Sequence, residues 1–316
     1  MPSTPSGWRP GSWKDKMNTG GEFLERIRQG RLLFDGGMGS MLIARGLEPG
    51  TAPEGWNLSR PGDVREIHAA YFDAGAEVVT ANTFGATPSR LGGYGFADTG
   101  RVNNAAITLA REAARDGEGD SRRFVALSVG PTGKMLPPVG AATVEEIEAE
   151  FDGQLGGVEE IVDVVLGETF FDVREALAAL AAARGALTAP VGIGLTFNKT
   201  PRGFFTVMGD AARDAVGKLE TAGADFIAVN CSITSPEMVE LAADLRSWTR
   251  LPVLMQPNAG DPALVDGMPV YTQRPEAFAS DAARIVAAGI EAVGGCCGTT
   301  PEFIRAARAA LDAGDR

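Results

Sequence analysis

The chain is poor in the residues that most enzymes use for proton transfer and metal binding: it has one histidine, His68, and three cysteines, Cys231, Cys296 and Cys297. His68 falls in the pattern Val64, Ile67, His68, Tyr71, Phe72, the buried stripe of a helix. That placement leaves no Ser-His or Cys-His nucleophile pair. Three cysteines are one short of a four-sulfur structural zinc site, and neighbours such as Cys296 and Cys297 bond to each other only with strain. Basic residues are also scarce, 29 against 41 acidic ones, and the net charge of −12 argues against a nucleic-acid partner. No apolar run approaches the ~20 residues of a membrane span, and the start Met1-Pro2-Ser3-Thr4-Pro5-Ser6-Gly7 lacks a signal-peptide core. The expected compartment is the cytoplasm, where cysteines stay reduced and free for a metal. Two nucleotide motifs fail on inspection. Gly192-Ile193-Gly194 has Phe197 where a GxGxxG loop needs its last glycine, and Gly133-Lys134 has Ser128 and Met135 where a P-loop needs Gly and Ser or Thr.

What the chain does have is alternation. Short apolar runs at Arg31–Asp35, Glu77–Asn82, Phe124–Val129, Asp163–Glu168, Val191–Thr196, Asp225–Asn230, Pro252–Gln256 and Ile290–Val293 are separated by helical patterns such as Val144, Ile147, Phe151, Leu155 and Val158. A Thr143/Glu146 capping box opens that helix. The phrases Ala74-Gly75-Ala76-Glu77, Ala222-Gly223-Ala224-Asp225 and Ala288-Gly289-Ile290-Glu291 each close a helix and enter a strand. Eight such units predict an α/β fold of one domain, a single (β/α)8 TIM barrel, rather than an open doubly wound sheet. The first residues, 1–20, are rich in Pro, Gly and Ser and are expected to form a flexible arm, with the barrel over 21–316.

In a barrel, active residues stand at the C-terminal ends of the strands. Polar residues occur there at Asp35, Asn82, Glu168, Asn230-Cys231, Asn258 and Cys296-Cys297. Helix starts follow both cysteine segments, at Ser235-Pro236-Glu237 and Thr300-Pro301-Glu302. All three thiols are therefore expected on the functional face, as a zinc site with one position open to exchange. Zinc with three thiolates is formally −1, which suits it poorly to ionising water and well to binding a fourth sulfur, itself deprotonated on coordination. That chemistry is alkyl transfer to a thiol. Asp35 and Glu168 are suited to hold an α-ammonium, and the N–H groups of Gly36, Gly37 and Met38 an α-carboxylate, so the pocket fits an amino acid bearing a thiol. A barrel clipped by zinc and catalysing nothing is the alternative.

Several segments carry a resemblance. Gly294-Gly295-Cys296-Cys297-Gly298-Thr299-Thr300-Pro301, Val229-Asn230-Cys231, Phe34-Asp35-Gly36-Gly37-Met38-Gly39, Asn82-Thr83-Phe84-Gly85-Ala86, Gly130-Pro131-Thr132-Gly133, Glu168-Thr169-Phe170 and Pro257-Asn258-Ala259-Gly260 resemble those of zinc-dependent homocysteine S-methyltransferases. Within that family the chain looks most like the homocysteine-binding module of cobalamin-dependent methionine synthase. The resemblance implies zinc on Cys231, Cys296 and Cys297, homocysteine thiolate as fourth ligand, and methionine as product. It places Asp35, Gly36, Gly37, Met38, Asn82, Thr83, Glu168 and Asn258 around the substrate, with Asn258 near the zinc as a fourth ligand when substrate is absent. The run Glu66-Ile67-His68-Ala69 offers no Asp-x-His-x-x-Gly cobalamin motif. The expected methyl source is therefore methylcobalamin on a separate corrinoid protein, with S-adenosylmethionine, S-methylmethionine and betaine as alternative donors and another thiol as the alternative acceptor. Two positions depart from the pattern: Gln256, where Glu is usual, and the apolar segment Lys199–Thr206.

Overall fold

The computed structural model describes residues 19–116, 122–159, 161–265 and 268–314. Eight parallel strands, β1 (Leu32–Leu33), β2 (Val78–Thr80), β3 (Phe124–Val129), β4 (Val164–Phe170), β5 (Val191–Leu195), β6 (Phe226–Thr234), β7 (Val253–Asn258) and β8 (Ala292–Val293), form one sheet. Each lies where an apolar run predicts it. The sheet order is β1-β8-β7-β6-β5-β4-β3-β2, and β1 meets β2 again through a parallel bridge between Phe34 and Val78. Backbone bonds from Glu77 N to Leu33 O (2.7 Å) and Asp35 N to Val78 O (3.0 Å) complete the closure. The crossover helices are α1 (Pro61–Asp73), α2 (Thr99–Arg115), α3 (Val144–Leu155), α4 (Val173–Ala186), α5 (Ala212–Thr221), α6 (Ser235–Trp248), α7 (Pro275–Ala287) and α8 (Pro301–Ala313). The expected (β/α)8 barrel is thus the observed fold.

Two layers of apolar side chains result from the strand pleat. Inward-facing Leu32, Phe34, Val78, Phe124, Leu166, Phe226 and Leu254 fill the barrel, while the opposite strand faces pack on the helices. One element was not anticipated. The predicted arm lies mostly outside the described residues, but its last two positions begin a helix, Thr19–Arg28. Phe23 and Ile27, one turn apart, enter the interior cluster from below. The Phe23 ring lies 6.4, 5.6 and 5.7 Å from those of Phe34, Phe124 and Phe226, stopping the N-terminal end of the barrel. Only the C-terminal end remains available for a ligand.

Loops at that end are elaborated. A hairpin of Asn198–Thr200 with Gly203–Phe205 follows β5 and accounts for the apolar segment after the fifth strand. A second, Pro262–Val265 with Met268–Tyr271, follows β7. His68 is fully buried in α1, as its periodicity requires. Neither ring nitrogen has a partner among the described residues, and burial holds its pKa down near 3, so it stays neutral. No helix among the described residues is long and apolar enough to cross a membrane.

Candidate metal and amino-acid site

The three cysteines converge from β6 and β8. Cys231 Sγ lies 3.9 Å from Cys297 Sγ, Cys296 Sγ lies 4.0 Å from Cys297 Sγ, and all three fall within 4.8 Å of one another. A tetrahedron built on zinc–sulfur bonds of about 2.3 Å has edges of about 3.8 Å, so the spacing fits zinc on three thiolates. Among themselves the sulfurs concentrate negative charge on one atom. Hydrogen bonds from Cys296 and Cys297 pull Cys231 down to about 3; the contact with Cys231 pushes Cys297 up to about 11 against an opposing bond from Cys296, and contacts with Cys231 and Cys297 push Cys296 well above the ordinary thiol range.

Cys231 does not sit in a simple strand-to-helix loop, as its sequence position suggests. Strand β6 continues to Thr234 through a register break after Asn230, and both Cys231 (φ 59°) and Ser232 (φ 56°) are left-handed. The Cys296-Cys297 loop is held from both sides: Cys296 N donates to Pro257 O (2.9 Å), Gly298 N to Ser40 Oγ (2.8 Å) and Gly295 N to Asp35 O (2.8 Å). A side chain at Gly295 would meet that of Thr299 at 2.2 Å, so the loop closes only with glycine there.

Beside the thiols lies a cavity of about 250 Å³ whose walls include Asp35, Gly36, Gly37, Met38, Asn82, Glu168, Cys231, Gln256, Cys296 and Cys297. Asp35 is buried at the end of β1. Its Oδ2 accepts from Thr80 N (2.8 Å) and its Oδ1 from Thr80 Oγ1 (3.0 Å). Burial nevertheless pushes its pKa up to about 8, with the Thr80 bonds opposing and Glu168 adding a smaller push. Glu168, partly exposed where it lines the cavity, is raised to about 7 by removal from water; Ser128 Oγ, 2.5 Å from its Oε1, opposes the shift. Two carboxyls that ionise near neutrality form a cradle suited to a cation.

Not every residue expected here turns toward the cavity. Gly37 N–H is committed to Thr299, at 3.0 Å to its carbonyl and 3.1 Å to its hydroxyl, which leaves Gly36 and Met38 as candidate carboxylate donors. Asn82 lines the cavity, but its amide nitrogen donates to Pro53 O and Asn57 Oδ1, both at 2.9 Å. Thr83 lies outside the cavity wall, its hydroxyl 2.8 Å from Ser128 O. Asn258 Oδ1 accepts from Cys297 N (3.2 Å) and its side chain also bonds Cys231, so it borders the sulfurs rather than the cavity. The Gly130-Pro131-Thr132-Gly133 loop is a structural lock, with Thr132 N and Oγ1 both on Glu175 Oε1. Sequence reading missed Thr80, Ser128 and Glu54. Ser128 is the one polar side chain inside the apolar run of β3, a signal that was available. Glu54 is buried in the cavity wall and caps Gly85 N at 2.6 Å, and nothing in its local sequence marks it.

A closed parallel barrel that gathers three thiols, a buried carboxyl and a half-buried one at its open end defines the class to which comparison then gives a family. The chain belongs to the homocysteine S-methyltransferase family, whose model matches residues 32–311. Over 307 residues it is 34% identical to methionine synthase of Mycobacterium leprae and 35% identical to methionine synthase of Mycobacterium tuberculosis. Each match takes in 92% of this chain and 25% of the relative, so the chain spans about a quarter of their length. Among solved structures, the metallated form of the Escherichia coli homocysteine methyltransferase MmuM superposes with a TM-score of 0.76 at 24% identity. That match covers 92% of this chain and 99% of the other, and it shows a shared fold.

Proposed function

We propose that this barrel transfers a methyl group to the thiol of homocysteine, giving methionine, at a zinc ion held by Cys231, Cys296 and Cys297. The observation that carries the reading is the sulfur spacing of 3.9 and 4.0 Å on the wall of the cavity that also holds Asp35 and Glu168. Zinc supplies a fourth coordination position at which a substrate thiol loses its proton and remains nucleophilic. The chain's own residues position the rest of the amino acid. Asp35 and Glu168 release their protons and accept the α-ammonium, and the Gly36 and Met38 N–H groups receive the α-carboxylate. Thr80 and Ser128 hold the two carboxyls at the cavity wall while they do so. Asn258, whose Oδ1 accepts from Cys297 N, would approach the metal when substrate is absent.

The methyl donor in this reading is a methylated corrinoid on a partner protein. The resemblance of the motifs to the cobalamin-dependent methionine synthase module motivates it, and so does the surface. Five of the seven exposed large apolar side chains among the described residues lie in segments that run from the C-terminal end of a strand to the next crossover helix: Ile43 after β1, Tyr94 after β2, Val139 after β3, Val207 after β5 and Val270 after β7. Apolar groups rimming the entrance of a site suit docking of a macromolecule. The free thiols suit the cytoplasm. Incubation of the zinc-loaded protein with homocysteine and methylcobalamin is expected to yield methionine. Turnover of S-adenosylmethionine, S-methylmethionine or betaine instead would reassign the donor. X-ray absorption at the zinc edge is expected to show a new sulfur on homocysteine addition, and an unchanged shell would identify a non-catalytic clip.

A further inference from the structure

We propose that Asn230 is the positioning residue that aims Glu168 into the cavity, reaching it from β6 across β5 through the space left by Gly194. The inference rests on the reading of Glu168 as an ammonium acceptor. Thr169, the residue after Glu168, is held at φ 63°. A β-branched residue rarely enters that region, and one found there is over-determined by its surroundings. Asn230 supplies the determination. Its Oδ1 accepts from Thr169 N at 2.8 Å and its Nδ2 donates to Thr169 Oγ1 at 2.7 Å, so one amide grips both polar groups of the strained residue. The same Nδ2 lies 3.4 Å from Glu168 Oε2.

Strands β4 and β6 are not neighbours, since β5 lies between them. The Asn230 side chain therefore has to cross a strand. A Cβ added to Gly194 on β5 would lie 3.2 Å from Asn230 Oδ1, 3.2 Å from Ala228 Cβ and 3.0 Å from Gly167 O. Any side chain at position 194 presses on the amide and on the strand that carries Glu168. The Gly192-Ile193-Gly194 run, which fails as a nucleotide loop, thus has a use for its second glycine. Because Cys231 directly follows Asn230, the clamp joins the half of the site that holds the amino group to the half that holds sulfur.

The test is homocysteine binding to the zinc-loaded full chain, with zinc content measured alongside. Asn230→Ala is expected to weaken homocysteine binding at least about tenfold while one zinc per chain is retained, and Gly194→Ala to weaken it in the same direction. The double variant is expected to bind no worse than Asn230→Ala alone, since both changes break one clamp. Adding Thr169→Gly to Asn230→Ala is expected to recover part of the loss, because glycine takes a positive φ without a clamp. Unchanged affinity in Asn230→Ala, additive losses in the double variant, or zinc lost together with homocysteine would overturn the proposal. Should Asn230→Ala not fold, folding of the Thr169→Gly pair supports the clamp and its failure to fold refutes it. A crystal structure of Asn230→Ala reports the Thr169 φ angle and the Glu168 orientation without any ligand. It therefore separates failure of this inference from failure of the homocysteine reading.

Discussion

Affinity for the amino-acid end of the substrate is expected to rise steeply with pH, because binding an ammonium expels protons that Asp35 and Glu168 otherwise keep. A ligand with the backbone of homocysteine and no sulfur, 2-aminobutyrate, isolates this effect from ionisation of the thiol. With Asp35 near 8 and Glu168 near 7, ionising both at about pH 6 lowers affinity by about three orders of magnitude, and at about pH 8 by less than one. Binding should therefore tighten by between two and three orders of magnitude across that range, roughly 3 to 4 kcal/mol at about 1.4 kcal/mol per tenfold. Asp35→Asn removes the larger share and leaves only the roughly tenfold dependence owed to Glu168. The assay is a nuclear magnetic resonance titration of the zinc-loaded protein, repeated at several pH values for both forms. An Asp35→Asn protein that keeps the full pH dependence, or a flat profile in the unmodified protein, would falsify the ammonium cradle. The same carboxyls fix a sign for stability without ligand. The folded state keeps protons that the unfolded chain releases near pH 4, so stability should fall as pH climbs from about 4 toward 8.

Ser128→Ala removes the 2.5 Å bond that holds Glu168 down; the Glu168 pKa should rise above about 7 and move the binding profile to higher pH, visible in the same titration. Cys296→Ala is expected to abolish tight zinc binding, read by metal analysis, while the circular dichroism of the barrel persists. Wholesale unfolding of that variant would instead support a structural clip. His68→Leu replaces a ring whose two buried nitrogens have no partner among the described residues by a hydrocarbon and should stabilise the fold by about 1–3 kcal/mol, measured by denaturant unfolding, with zinc and homocysteine binding unchanged. A loss of either affinity would show that His68 serves the site.

Much of this was legible in the chain because the signals are local. Each barrel strand is an apolar run, most with a polar residue at or just past its C-terminal end, and several boundaries carry their own punctuation, such as the Thr143/Glu146 box observed at α3. The thiols were legible because they are scarce and stand after apolar runs. What stayed hidden depends on contacts distant in sequence. Nothing near Gly37 says that its N–H is taken by Thr299, 262 residues away, and nothing near Asn82 says that its amide serves the Pro53–Asn57 turn. The helix Thr19–Arg28 was not legible either. Gly20 and Gly21 lie next to the Pro- and Ser-rich start, and two apolar residues four apart are too weak a periodicity to outweigh them. Burial of Phe23 in the barrel supplies the stability that local propensity withholds.

Charge balance gives a physical account of Gln256, the position where the resemblance leads one to expect Glu. Gln256 is buried at the end of β7, beside Asn230 in the strand register, and it lines the cavity. Its Nε2 makes a long contact of 3.5 Å to Gly295 O, and its Oε1 has no partner among the described residues. The surrounding groups already strain toward negative charge. With the proposed zinc bound, three thiolates would outweigh the divalent cation by one, and burial raises the Asp35 and Glu168 carboxyls to about 8 and about 7. A third carboxylate at position 256 would raise both further, because like charges in a site removed from water disfavour each other's ionisation. The cradle would then reach its ionised, cation-binding form only at higher pH. An amide of nearly the same shape keeps the cavity wall polar and adds no charge. On the proposed reading, an amide at Gln256 therefore lets the carboxyl pair ionise, and receive an ammonium, closer to neutral pH than a third carboxylate would.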